Sequence, residues 1–114
     1  MAKKELSKEQ SEDVLRVLEI IKQSGKLKKG ANEVTKAVER NVAKLVVLAS
    51  DVTPAEIIMH LPILCEEKSV PCVVAGNKEE LGVAAGLTVG TVAVAVTDDG
   101  SAKNDLQKVL DSLQ

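Results

Sequence analysis

A chain of 114 residues with no Phe, Tyr or Trp must build its interior from aliphatic side chains alone. Each buried aromatic removes roughly 150–250 Å² from water. Without that payload, the core depends on many Val, Leu, Ile and Ala side chains arriving in register. The apolar residues do arrive in register, and in two patterns. Val14, Leu15, Val17, Leu18 and Ile21 recur at helical spacing, which predicts an amphipathic helix over Ser7–Ser24 stopped by Gly25. Leu45-Val46-Val47-Leu48-Ala49 is an unbroken, β-branched-rich run, as expected of a strand covered on both faces.

The same reading extends along the chain. Lys26–Lys29 is a short strand, and Asn32–Asn41 a helix with Val34, Ala37 and Val38 facing inward. Asp51 or Thr53 caps the next helix, which has Pro54 at its first position and runs through Ile57, Ile58, Leu61 and Leu64 to about Lys68, with a possible kink at Pro62. Val70–Val74 is a strand, Asn77 to about Gly86 a helix, and Thr91–Thr97 the last strand. Asp98-Asp99-Gly100 turns into a final helix over Ala102–Leu113. Helices alternate with buried strands and no linker interrupts them. The pattern predicts one α/β domain over residues 1–114 with helices on both faces of a central sheet.

Composition removes several function classes. Met1–Lys8 is polar and does not read as a signal peptide, and no apolar run is long enough to span a bilayer, so a cytoplasmic protein without membrane partners is expected. Cys65 and Cys72 have neither redox-pair nor zinc spacing and read as buried free thiols. His60 is the only histidine, so no metal or cofactor is expected, and a surface or packing role suits it. No phosphate-binding loop or Ser/His/Asp arrangement is visible, which argues against an enzyme. Base stacking on aromatic rings is excluded, so any nucleic acid must be held by charge, hydrogen bonds and aliphatic contacts.

Charge then singles out one segment. Between residues 22 and 44 lie seven cations (Lys22, Lys26, Lys28, Lys29, Lys36, Arg40, Lys44) and two anions (Glu33, Glu39), in a chain whose net charge is −2. A basic patch on an acidic body suits a localised polyanion. Within it, Asn32 can serve as a helix N-cap and Glu33 can favour the helix dipole, with Lys36 and Arg40 simply solvated. The neighbouring Lys28 and Lys29 favour a second role. Asn32 offers a donor and an acceptor. Glu33 accepts two hydrogen bonds, which matches the adjacent imino and amino donors of a guanine Watson–Crick edge.

At this level of detail the chain resembles a known family. Lys28-Lys29-Gly30-Ala31-Asn32-Glu33-Val34-Thr35-Lys36 is followed in order by Ala49-Ser50-Asp51-Val52-Thr53-Pro54, His60-Leu61-Pro62-Ile63-Leu64-Cys65-Glu66-Glu67-Lys68, Val70-Pro71, Lys78-Glu79-Glu80-Leu81-Gly82 and Ala85-Gly86. Together they resemble the kink-turn RNA-binding proteins that include archaeal ribosomal protein "L-seven-Ae" and its spliceosomal and small-nucleolar-particle relatives. The resemblance covers roughly Leu6–Leu113. It implies an α-β-α sandwich around a four-stranded mixed sheet, and a non-enzymatic, monomeric protein that stabilises kinked ribosomal and guide RNAs alongside ribonucleoprotein core proteins.

It also implies roles. Asn32, Glu33 and Lys36 would read tandem sheared G·A pairs, and Gly30 would let the backbone approach the RNA. Lys28, Lys29, Arg40 and Lys78 would contact phosphates or base edges. Leu87, Thr88, Val89 and Gly90 would form an aliphatic surface beside an extruded nucleotide, with Ile57 and Val92 behind it. Aliphatic packing on a base needs no aromatic ring. The chain departs from the family pattern at Thr53, often acidic, at Cys72, usually Tyr, at Ala75-Gly76-Asn77, and at Gly90, commonly Ala or Pro. The aromatic-free alphabet is compatible with an extreme natural composition and with a reconstructed or engineered member. The competing expectation is a protein-interaction scaffold of the same fold that does not bind RNA specifically.

Overall fold

The computed structural model describes residues 4–52 and 58–112. Among the described residues the elements in chain order are β1 (Lys4–Glu5), α1 (Lys8–Ser24), β2 (Lys26–Lys29), α2 (Ala31–Glu39), β3 (Leu45–Leu48), α3 (His60–Glu67), β4 (Cys72–Val74), α4 (Lys78–Ala84), β5 (Ala93–Asp98), a 3₁₀ turn (Gly100–Ala102) and α5 (Lys103–Ser112). The sheet order is β1-β4-β3-β5-β2. β3 runs parallel to β4 and antiparallel to β5, and β5 runs antiparallel to β2. The expected four-stranded mixed sheet is therefore present, with the two-residue β1 added along the outer side of β4. Among the described residues no helix is long and apolar enough to cross a membrane.

Period-2 alternation divides the strands between two cores. Leu45 and Val47 of β3, with Val94 and Val96 of β5, face a layer built from α1, α4 and α5. Val46, Leu48, Ala93 and Ala95 face α2 and α3. Every residue of β3 is buried, as its continuous apolar run requires. On the second face the small Ala93 and Ala95 lie beneath Val34, Ala37 and Val38 of α2. Small strand residues beneath the helix let it lie close to the sheet.

Local signals explain most boundaries. Ser7 and Gln10 form a reciprocal capping box at the start of α1, and Asn77 and Glu80 form another at α4. α2, α3 and α4 each end in a left-handed residue: Asn41, Ser69 and Gly86 at φ 61°, 58° and 84°. In each, its own N–H and the next one return to the last turn, the latter as Val42 N–H to Ala37 O at 3.1 Å, Val70 to Cys65 at 2.8 Å and Leu87 to Gly82 at 2.8 Å.

Four expectations change. The N-cap of α2 is Gly30, and Asn32 is already inside the helix. Asp51 accepts the Lys78 backbone N–H at 2.8 Å, so it serves the start of α4 and not of α3. Pro62 is the third residue of α3, where its missing N–H has no helical acceptor, so it causes no kink there. Strand β4 begins at Cys72, because Val70 is turned back by its bond to Cys65. Thr53, Pro54 and Ile57 lie outside the described residues, as does Leu113.

Candidate nucleic-acid interface

The site begins where β2 hands over to α2. Gly30 has φ 92° and ψ 152°, a backbone region essentially closed to residues with a Cβ. A Cβ built there meets nothing within 4 Å, so the glycine serves the backbone angle and leaves its outer side open. Its N–H donates to the Ala93 carbonyl at 2.9 Å, and its own carbonyl accepts the Val34 N–H at 3.0 Å. No side chain caps this helix. The early N–H groups of α2 therefore remain available, and they add positive potential at the helix start.

Asn32, Glu33, Lys36 and Arg40 are all exposed, while Val34, Ala37 and Val38 are buried. At 100° per residue the four polar positions occupy roughly one quarter of the helix circumference. The apolar face fixes their direction: burying Val34 and Val38 on Ala93 and Ala95 turns Asn32, Lys36 and Arg40 outward as one stripe. Among the described residues, none of these four side chains makes a hydrogen bond or ion pair. The capping role open to Asn32 is thus taken by Gly30, and the Asn32 amide is free for a ligand.

One anchor of this helix was not visible in the sequence. The Thr35 hydroxyl donates to the Ala31 carbonyl at 2.7 Å, and His60 Nε2 lies 2.7 Å from Thr35 Oγ1. Since the hydroxyl proton is committed to Ala31, Nε2 must carry the hydrogen and donate. His60, expected to be a surface or packing residue, therefore clamps α3 to α2.

A second group of expected residues sits on α4 and the segment after it. Lys78 is the first residue of α4, and its carbonyl accepts the Thr91 N–H at 3.1 Å. A Cβ at Gly82 would overlap the Val89 carbonyl, so this glycine allows the loop to lie directly on α4. A Cβ at Gly90 would stand 3.1 Å from that of Lys78, a close but not forbidden approach. Thr88, Val89 and Gly90 are exposed, Val89 at 69%, and Leu87 is half-buried. The aliphatic loop surface is thus presented to solvent.

The Ala93 carbonyl links the two groups. It accepts the Gly30 N–H at 2.9 Å and the Thr91 hydroxyl at 3.2 Å. The exit of β2 and the segment 87–92 are thereby held against the same point of β5. Lys28, Lys29, Gly30 and the α2 stripe form one side of the site, and Lys78 with Leu87–Gly90 the other. Of the supporting residues, Val92 packs on the α2 layer.

The cysteines are buried and unoxidised. A hydrogen bond with Cys72 holds the Cys65 thiol below its ordinary range, against the opposing effect of burial. Both lie in the core beneath α2 and α3, away from the exposed stripe. Among the described residues no three His, Cys, Asp or Glu side chains converge to hold a metal.

Two comparisons bear on this arrangement. The model of the ribosomal protein L7Ae/L30e/S12e/Gadd45 family matches residues 12–106, a span that contains every residue of the site. Among solved structures, the Giardia lamblia 15.5kD RNA binding protein is similar to this chain with a TM-score of 0.87 and 34% sequence identity, over 95% of this chain and 90% of that one.

Proposed function

The chain belongs to the ribosomal protein L7Ae/L30e/S12e/Gadd45 family, and from that premise we propose that it is a non-enzymatic RNA-binding protein whose ligand is a kink-turn. The observation that carries the reading is the α2 stripe. Asn32, Glu33 and Lys36 are exposed together at a helix start with no side-chain cap, and no described residue hydrogen-bonds or pairs with them. Polar side chains of this kind on a fixed helix suit base edges, whereas a merely solvated face needs no such grouping.

A sheared G·A pair leaves the guanine Watson–Crick edge unpaired. The Glu33 carboxylate accepts from its imino and amino protons, while Asn32 and Lys36 address the neighbouring guanine. The deep groove of A-form RNA is too narrow for this, but tandem sheared pairs and a sharp bend open it. Lys28, Lys29, Arg40 and Lys78 hold phosphates, and the Gly30 backbone approaches closely because nothing projects from it. Leu87, Thr88, Val89 and Gly90 pack on the extruded nucleotide. Binding favours the kinked form of an RNA that otherwise exchanges with an extended one.

The targets in this reading are ribosomal RNA and box C/D-type guide RNAs, with ribonucleoprotein core proteins joining the bound complex. The free protein is a cytoplasmic monomer. A mobility-shift titration against a kink-turn RNA and against the same RNA with its G·A pairs replaced tests the proposal. Selective binding of the first supports it, and equal affinity for both refutes it.

A further inference from the structure

A groove of about 420 Å³ opens beside β2, with Lys22, Lys26, Lys28, Lys29, Ala85 and Gly86 among the residues that line it. Three elements supply it: Lys22 from the last turn of α1, the lysines of β2, and the chain leaving α4 at Gly86. Gly86 has φ 84°, and a Cβ there would stand 3.3 Å from Lys22 Cδ. The missing side chain leaves space for the Lys22 stem along the wall of the groove.

All four lysines are exposed, and among the described residues none has a carboxylate within ion-pair distance. Asp98 is the ladder partner of Lys26. Its Oδ1 instead accepts the Gly100 N–H at 2.9 Å. Four ammonium groups gathered in one concave surface without an internal counter-charge call for an external polyanion. Lysines also discourage edge-to-edge pairing of an exposed strand such as β2. That duty accounts for neither Lys22, on α1, nor the groove.

We propose that this groove is a second phosphate-backbone site, occupied by the RNA stem that flanks the element read by α2. The inference rests on the RNA-binding reading and extends it, since Lys22 and Lys26 lie outside the residues that address the sheared pairs. Continuity carries the choice of ligand. Lys28 and Lys29 line the groove and lead directly into Gly30, so a polyanion held at α2 has an uninterrupted basic path along β2 toward Lys26 and Lys22.

The test is the salt dependence of binding for the full chain, Lys22→Gln/Lys26→Gln, and a charge-matched control on α5, Lys103→Gln/Lys108→Gln. Each is titrated with kink-turn RNA having long stems, having either stem cut to a few base pairs, or lacking the G·A pairs. Each lost phosphate contact lowers the slope of log K against log salt by about 1, so the groove variant should lose about 2 and keep its preference for G·A-containing RNA. Shortening one stem should lower the wild-type slope by a similar amount and leave the groove variant unchanged. A groove variant no different from the α5 control overturns the proposal, as does a wild-type slope indifferent to both stem lengths. Equal wild-type binding with and without the G·A pairs refutes the kink-turn reading alone, because a slope lowered by about 2 still upholds the groove. Absence of any RNA binding refutes both.

Discussion

Gly30 donates its backbone N–H to the carbonyl of Ala93 at 2.9 Å, and at that carbonyl the two halves of the proposed RNA surface meet. Thr91 Oγ1 donates to the same carbonyl at 3.2 Å. The start of α2 and the segment 87–92 therefore share an anchor on β5, an interior strand whose first four residues are buried. A site assembled this way holds its geometry before the ligand arrives, which limits the ordering cost of binding.

Gly30→Ala places a Cβ on a backbone at φ 92° and ψ 152°. The space is open, so the cost is backbone strain, roughly 1–3 kcal/mol. Urea denaturation should show a lower midpoint with an unchanged m value. RNA affinity should fall as well, since the Cβ projects where the RNA backbone approaches. Undiminished stability would show that Gly30 does not need its left-handed angle.

Glu33→Ala should leave the fold nearly intact, because Glu33 is exposed and makes no hydrogen bond or ion pair with another described residue. Loss of a two-bond base contact is worth about 1–3 kcal/mol, or roughly 5- to 150-fold in affinity. The loss should fall on RNA containing the G·A pairs and spare RNA without them. A uniform loss would mean that Glu33 does not read bases.

Thr35→Val removes the hydroxyl that accepts from His60 and donates to Ala31. The double-mutant cycle with His60→Ala should give a coupling of about 1 kcal/mol. Nitrogen NMR should find His60 protonated at Nε2 in the wild type, with the signal shifted in Thr35→Val. A coupling near zero would remove His60 from the support of α2.

Gly82→Ala drives a Cβ into the backbone carbonyl of Val89. Neither partner is a flexible side-chain tip, so the loop must move, at a cost of about 2–3 kcal/mol. Amide exchange should rise at residues 87–91 before it rises in β3. RNA affinity should drop through the loop while the α2 stripe keeps its shape. Equal protection in both segments would show that the loop does not depend on Gly82.

Much of this was legible from local chemistry. The helix start at Asn77, the Gly25 and Gly86 stops, and the continuous run of β3 each state their element within a few residues. The turn at Ser69 was not legible, since nothing in a serine announces a φ of 58°. Its angle follows from the return of Val70 to the Cys65 carbonyl. Asn32 misled for a related reason. Asn is an excellent N-cap residue, and only the placement of Gly30 against Ala93 shows that the cap lies two positions earlier.

By itself the sequence determined the alternation of helices and strands, the aliphatic interior, the concentration of lysines ahead of α2, and the Asn-Glu-Lys grouping. These depend on period, propensity and charge, which act between near neighbours in the chain. Tertiary structure decided what those residues are free to do. It assigned the cap of α2 to Gly30, gave Asp51 to Lys78, set His60 on Thr35, and brought Lys22 alongside β2. Each of these rests on a contact between segments distant in sequence, made only when both faces of the sheet are buried and the helices can lie in one arrangement.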